Sequence, residues 1–153
     1  MELILWRHAD AEDGKPDLAR ELTDKGRRQA SRMAKWLKPR LDDEWEILVS
    51  PAVRARQTAE ALEREFRTCI TVGPQSTEDT LLREVEWPAR KKNVILVGHQ
   101  PAFGRVAAQL LTGHRGDLAV RKGSIWWFSS KLDEEMGMGE TVLRAVLSPD
   151  LSD

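Results

Sequence analysis

The sequence has little cysteine, little histidine, no long apolar run and no excess of either charge. Cys69 is the only cysteine in 153 residues, so an internal disulfide is excluded. A reducing compartment, the cytoplasm, is the expected location. A cysteine nucleophile is not expected, because Cys69-Ile70-Thr71-Val72 reads as a buried strand. No stretch approaches the ~20 apolar residues of a membrane span. Residues Met1 to Trp6 are apolar but short, without a basic start or a small-residue cleavage site, so no secretory leader is expected. The 24 basic and 25 acidic residues leave a net charge of −1. That balance argues against a nucleic-acid or membrane partner. Three histidines without H-x-x-x-H or clustered Cys/Asp spacing predict neither a metal nor another cofactor.

What is present is an ordinary globular composition, 41% hydrophobic. A chain of this length buries roughly 68–70% of its unfolded surface, enough for one domain over residues 1–153 without staples. Residues 2–6 read as a short buried strand, and 9–20 as a polar loop. Thr23 is the expected N-cap of a helix with Ala30, Met33, Ala34 and Leu37 on its apolar face, ending near Pro39. Residues 46–49 predict a strand that Ser50-Pro51 turns into a helix over 51–66. A third strand is expected at 69–72 and a helix at 77–90. Val94-Ile95-Leu96-Val97 is the most strongly apolar strand, followed by a helix over 101–111 that Gly113 terminates. Residues 124–128 and 140–147 read as strands joined by a charged, Gly-rich turn at 131–139. Alternating strands and helices predict an α/β fold of three α-β-α layers, with a mostly parallel central sheet and a C-terminal antiparallel hairpin.

Three polar clusters each follow an apolar strand: Arg7-His8, Ser50 to Arg54, and Gly98-His99. In an open α/β sheet, ligands bind beyond the carboxyl ends of the strands. Parallel strands would therefore gather two arginines and two histidines around one pocket. Arginine forks match phosphate oxygens, and helix N-termini add partial positive charge. The arginines also disfavour protonation of a neighbouring imidazole, which leaves His8 a nucleophile. Attack on phosphorus would give a phosphohistidine that water hydrolyses, with Arg7, Arg54 and His99 binding the phosphoryl oxygens.

Leu5-Trp6-Arg7-His8-Ala9 resembles the Arg-His-Gly signature of the histidine phosphatase superfamily, whose fold is phosphoglycerate mutase-like. Ser50 to Ala59 resembles its second arginine motif, with Arg54 in the phosphate-binding place. Val97 to Pro101 resembles its second histidine motif, and Leu22 to Ala30 its Leu-Thr-x-x-Gly-x-x-Gln-Ala helix start. The resemblance runs from residue 3 to about 112 in the family's order. The short stretch between Arg54 and His99 is similar to the SixA-type branch. That resemblance implies a substrate phosphorylated on histidine in another protein, a phosphotransfer domain or carrier. Ala9 stands where the family usually has glycine, and Ala11 where many relatives carry a hydroxyl.

Two other readings stay open at this point. Leu82-Arg83-Glu84 resembles the surroundings of the acid in the phosphoglycerate mutase branch. Glu84 or Glu78 acting as general acid would make the chain a phosphomonoesterase of small phosphorylated substrates. A non-catalytic module that binds phosphorylated partners would keep the arginines but has no need of His8. A surface ion pair of Arg54 with Glu60 or Glu63 is the alternative to phosphate binding, and Lys122 is a candidate for the pocket rim.

Overall fold

The computed structural model describes residues 1–133 and 138–152. Among the described residues a six-stranded sheet runs in the order β3-β2-β4-β1-β5-β6. Strands β1 (Glu2–Arg7), β2 (Trp45–Val49), β3 (Arg67–Thr68) and β4 (Asn93–Gly98) are parallel. β5 (Ile125–Asp133) runs antiparallel to β1, and β6 (Met138–Leu147) antiparallel to β5. The expected parallel sheet with a C-terminal hairpin is what forms.

The two-residue period of a strand sends alternate side chains to opposite faces. Leu3 and Leu5 of β1 join Leu48, Val94, Leu96 and Phe128 in one core. Ile4 and Trp6 join Ile47, Val49, Ile95, Val97, Ile125 and Trp127 in the other. Helix α1 (Asp24–Leu37) covers the second face with Met33, Ala34 and Leu37, and α2 (Val53–Glu60) with Ala55 and Ala59. Helices α3 (Glu78–Glu84) and α4 (Ala102–Thr112) cover the first, the latter with Phe103, Val106 and Ala107. Burial on both faces is why β1 and β4 read as unbroken apolar runs.

Three expectations are corrected. The helix expected over 51–66 is only Val53–Glu60. Ser50 Oγ accepts from Ala52 N–H, which holds Ala52 extended as the N-cap, and Glu63 takes a positive φ of 56° that no helix continues through. The helix expected over 77–90 stops at Glu84, with Glu86 at φ 52°. The strand expected at 69–72 is instead Arg67–Thr68, and 70–72 form a single 3-10 turn. Cys69 N–H still reaches Val49 O, but Val72 N–H then turns back to Cys69 O. Ile70 is 86% exposed while Cys69 and Val72 are buried, so an apolar run at a sheet edge supplies two inward contacts rather than a strand. The other boundaries agree closely. Thr23 caps α1 through Gly26 N–H, a 3-10 turn with Pro39 follows Leu37, and Gly113 ends α4 at φ 75°. The hairpin strands are longer than expected, pairing out to Asp133 and Met138; the expected turn residues 134–137 lie outside the described residues.

Candidate active site

The carboxyl ends of β1, β2 and β4 lie side by side, and the ladder continues just past them. His8 N–H donates to Gly98 O, and Ser50 N–H to Val97 O, each at 3.0 Å. These bonds bring His8, Ser50 and His99 together although they are 42 to 91 residues apart in the chain. The two imidazoles stand 5.1 Å apart between centroids, tilted by 55°. Arg54 Nη2 lies 3.5 Å from His99 Nδ1. His8, Arg54 and His99 are all buried, at 6%, 4% and 3% exposure.

The Leu22-to-Ala30 motif holds the loop that leaves His8. Asp10 O accepts from Thr23 N–H, and Asp10 N–H donates to Gln29 Oε1 at 2.9 Å. Asp10 O passes so close to α1 that a Cβ on Gly26 would lie 1.9 Å from it, so only glycine fits there. Ala9 N–H donates to Thr58 Oγ1, and the same hydroxyl donates to Arg54 O at 2.7 Å. Thr58 thus ties the loop after His8 to the helix that carries Arg54. Gln57, on the same helix, accepts from Leu22 N–H.

Hydrogen bonds assign the histidine tautomers. His8 Nδ1 is 2.8 Å from Ala9 O, which only accepts, so Nδ1 carries the proton and Nε2 keeps its lone pair. His99 Nδ1 faces a guanidinium, which only donates, so Nδ1 accepts and Nε2–H donates to Ser50 Oγ at 2.7 Å. Both rings are neutral. Burial first, then the Arg54 and Arg7 charges, pushes His8 down to about 4 against the backbone bond to Ala9. Burial, then His8 and Arg54, pushes His99 down to about 3, with Asp17 opposing.

The guanidiniums are underused. Arg7 Nη1 donates to Val120 O, and Arg54 to Asp17 O and Asp17 Oδ2. The Nε–H of Arg7 and of Arg54 are both buried without a hydrogen-bond partner among the described residues. An unpaired buried donor is costly, and two beside like charges suit an anion with several acceptor oxygens. The neighbouring Arg54 charge and burial also hold Arg7 below the usual arginine range, burial being the larger cause. An adjoining groove of about 520 Å³ is lined by Arg7, Asp10, Lys25 and Lys122 among others, and Lys122 pairs with Asp10 at 3.3 Å, so Lys122 does stand at a rim beside Arg7.

The structure brings Arg7, His8, Arg54 and His99 together, and it does not bring the two glutamates to them. Glu84 accepts from Cys69 Sγ at 2.6 Å, a bond that holds its carboxyl below the usual range. Glu78 pairs with Arg115. Neither is among the charges acting most strongly on His8 or His99. Arg54 pairs with neither Glu60 nor Glu63 but with Asp17, which the sequence placed in an undifferentiated polar loop. Asp17 begins a one-turn 3-10 helix, Asp17–Ala19, and no local pattern marks it. Ser50 was expected in the polar cluster after β2, but not as the residue whose hydroxyl orients His99. Among the described residues no group of three or more His, Cys, Asp or Glu is placed to hold a metal ion. No helix among them is long and apolar enough to cross a membrane.

Comparison with known proteins places the chain in a family. The chain is 32% identical over 141 residues to the phosphohistidine phosphatase SixA homolog of Haemophilus influenzae, covering 82% of this chain and 85% of that one. It is 32% identical over 127 residues to phosphohistidine phosphatase SixA of Escherichia coli, covering 74% and 76%. Its fold superposes with a TM-score of 0.80 on the protein histidine phosphatase SixA complexed with tungstate, at 26% identity and over 98% of both chains. Residues 3–89 match the model of the histidine phosphatase superfamily, branch 1. With its paired arginines and imidazoles at the ends of β1, β2 and β4, the chain belongs to branch 1 of the histidine phosphatase superfamily.

Proposed function

We propose that the protein hydrolyses phosphohistidine on another protein, through a covalent intermediate on His8. The observation that carries this reading is the tautomer of His8. Its Nδ1–H is tied to Ala9 O, which leaves an unprotonated Nε2 as nucleophile beside two guanidiniums with unpaired Nε–H donors. Nε2 attacks phosphorus, the bond to the substrate nitrogen breaks, and charge on the equatorial oxygens is met by Arg7 and Arg54; His99 joins them when the bound dianion favours a proton on its Nδ1, since its Nε2–H is committed to Ser50. Water then attacks the phosphohistidine and regenerates His8. No step requires a metal.

Phosphohistidine is favoured over an ester by the placement of the carboxylates. An alkoxide leaving group needs a positioned acid. Glu84 and Glu78, the residues considered for that task, are held by Cys69 and Arg115. The names of the H. influenzae and E. coli relatives point to the same substrate. The cytoplasm is part of this reading, resting on the lone, buried Cys69.

The test is rapid mixing with a protein labelled on phosphohistidine, quenched without acid. Label is expected on His8 of the parent and to be lost in His8→Ala. Equal labelling of His8→Ala defeats the covalent role. A substrate panel in which sugar phosphates or nucleotides are turned over far better than the phosphoprotein defeats the substrate assignment.

A further inference from the structure

Asp17 is an odd residue to find at an anion site. Its backbone carbonyl accepts from Arg54 Nη1 at 2.8 Å, and its Oδ2 from Arg54 Nη2 at 3.1 Å. Its Oδ1 accepts from Arg20 Nη1 at 3.0 Å. The Arg54 side chain is 5% exposed while that of Asp17 is 56% exposed, so the carboxylate stands at the solvent end of the pair. Beyond Arg54 lies His99. A negative charge there repels a phosphoryl dianion. Seating Arg54 does not by itself demand that charge, because the Asp17 carbonyl already holds one end of the guanidinium.

The charge has a use if the group bonded to phosphorus is an imidazole. Phosphohistidine loses its phosphoryl group readily when the other ring nitrogen carries a proton. The P–N electron pair then returns to the ring, and neutral imidazole leaves with that proton still on the far nitrogen. A phosphate ester of an alcohol offers no comparable donor. We propose that Asp17 accepts a hydrogen bond from the far N–H of the substrate imidazole, keeps the ring protonated until the P–N bond breaks, and so selects phosphohistidine over phosphate esters. This deepens the phosphohistidine reading and rests on it. Asp17 acts as an acceptor and not as an acid. The bond from Arg20, ahead of that from Arg54, keeps its carboxyl below the usual carboxylate range. The charged and titratable groups around it are Arg20 from its own turn, Arg54 from α2 and His99 after β4, with His8 and Arg7 beyond.

The experiment compares Asp17→Asn with the parent on two probes. Phosphoimidazole protonated on its far nitrogen releases neutral imidazole; p-nitrophenyl phosphate releases a phenolate that needs no proton. Asparagine keeps an oxygen for Arg54 and removes the charge. The ratio of kcat/KM for phosphoimidazole to that for the aryl phosphate is expected to fall about tenfold, the loss of one charge-assisted hydrogen bond. The alkaline limb of the phosphoimidazole pH profile is expected to move to lower pH, because the ring loses the charge that favours its proton. If both activities fall in the same proportion, Asp17 only seats Arg54 and the proposal is overturned. If both rise together, Asp17 is merely a repelling charge and the proposal is overturned again. A parent enzyme that hydrolyses the aryl phosphate but neither phosphoimidazole nor phosphohistidine overturns the substrate reading itself, and this shows before any variant is made.

Discussion

Two buried neutral histidines should make the fold lose stability well above the pH at which carboxylates titrate. His8 is pushed from 6.5 down to about 4, and His99 from 6.5 down to about 3. In the unfolded chain both take up protons as the pH falls through about 6.5. The folded chain takes them up only below the depressed values, so the unfolded state binds more protons in between and stability falls with falling pH. The loss begins near pH 6.5 and is complete only below the folded values. Between pH 7.5 and 5 each histidine costs about 2 kcal/mol, worked from RT ln of the ratio of the two binding polynomials. The pair therefore costs about 4 kcal/mol, a large share of the 5–15 kcal/mol typical of a domain. Few carboxylates titrate above pH 5. The assay is urea unfolding at both pH values, for the parent and for the double variant His8→Gln, His99→Gln. The parent is expected to lose about 4 kcal/mol and the variant less than about 1. A parent of constant stability over that range, or a variant with an undiminished loss, would refute the account of two neutral imidazoles held against their charge.

Two further outcomes follow from the geometry. Gly26→Ala puts a Cβ 1.9 Å from Asp10 O, a backbone atom two residues after His8; it should cost about 1–3 kcal/mol in thermal or urea unfolding and lower kcat as well, and a variant matching the parent in both would mean that the loop does not pass there. Arg54→Lys removes a fork that a point charge does not replace and should lower kcat/KM for phosphohistidine by about 10²- to 10³-fold, whereas Glu84→Gln should stay within about threefold of the parent; equal collapse of the two variants would restore Glu84 as general acid.

The floor of the site was legible in the sequence because it is made by local rules. A buried parallel strand is an apolar run, and the residue after it lies at the sheet's carboxyl edge, so Arg7-His8, Ser50 to Arg54 and Gly98-His99 could be placed together before any coordinates. Thr23 and Gly113 were legible for the same reason, since a cap is set by one or two residues. The helix lengths after Glu60 and Glu84 were not. Both helices stop near a glutamate with positive φ, Glu63 and Glu86, and glutamate has no preference for that conformation that a sequence could advertise.

Asp17 shows where local reading ends. It lies 37 residues from Arg54, in a polar stretch with several other acids, and nothing in its spacing sets it apart from Asp13 or Glu21. What selects it is that the loop after His8 is anchored at Asp10 by Thr23 and Gln29 and must travel across the pocket before rejoining α1. An acid at the crossing point meets the one buried guanidinium that α2 presents. The floor of such a site is therefore set by strand ends, which any member of the fold needs in order to bind a phosphoryl group. The rim is set by the path of a loop, and the leaving group is met at the rim. Substrate preference can change there without disturbing the four side chains proposed to hold phosphorus, so among relatives with the same floor the loop over residues 12–21 is where specificity is expected to differ.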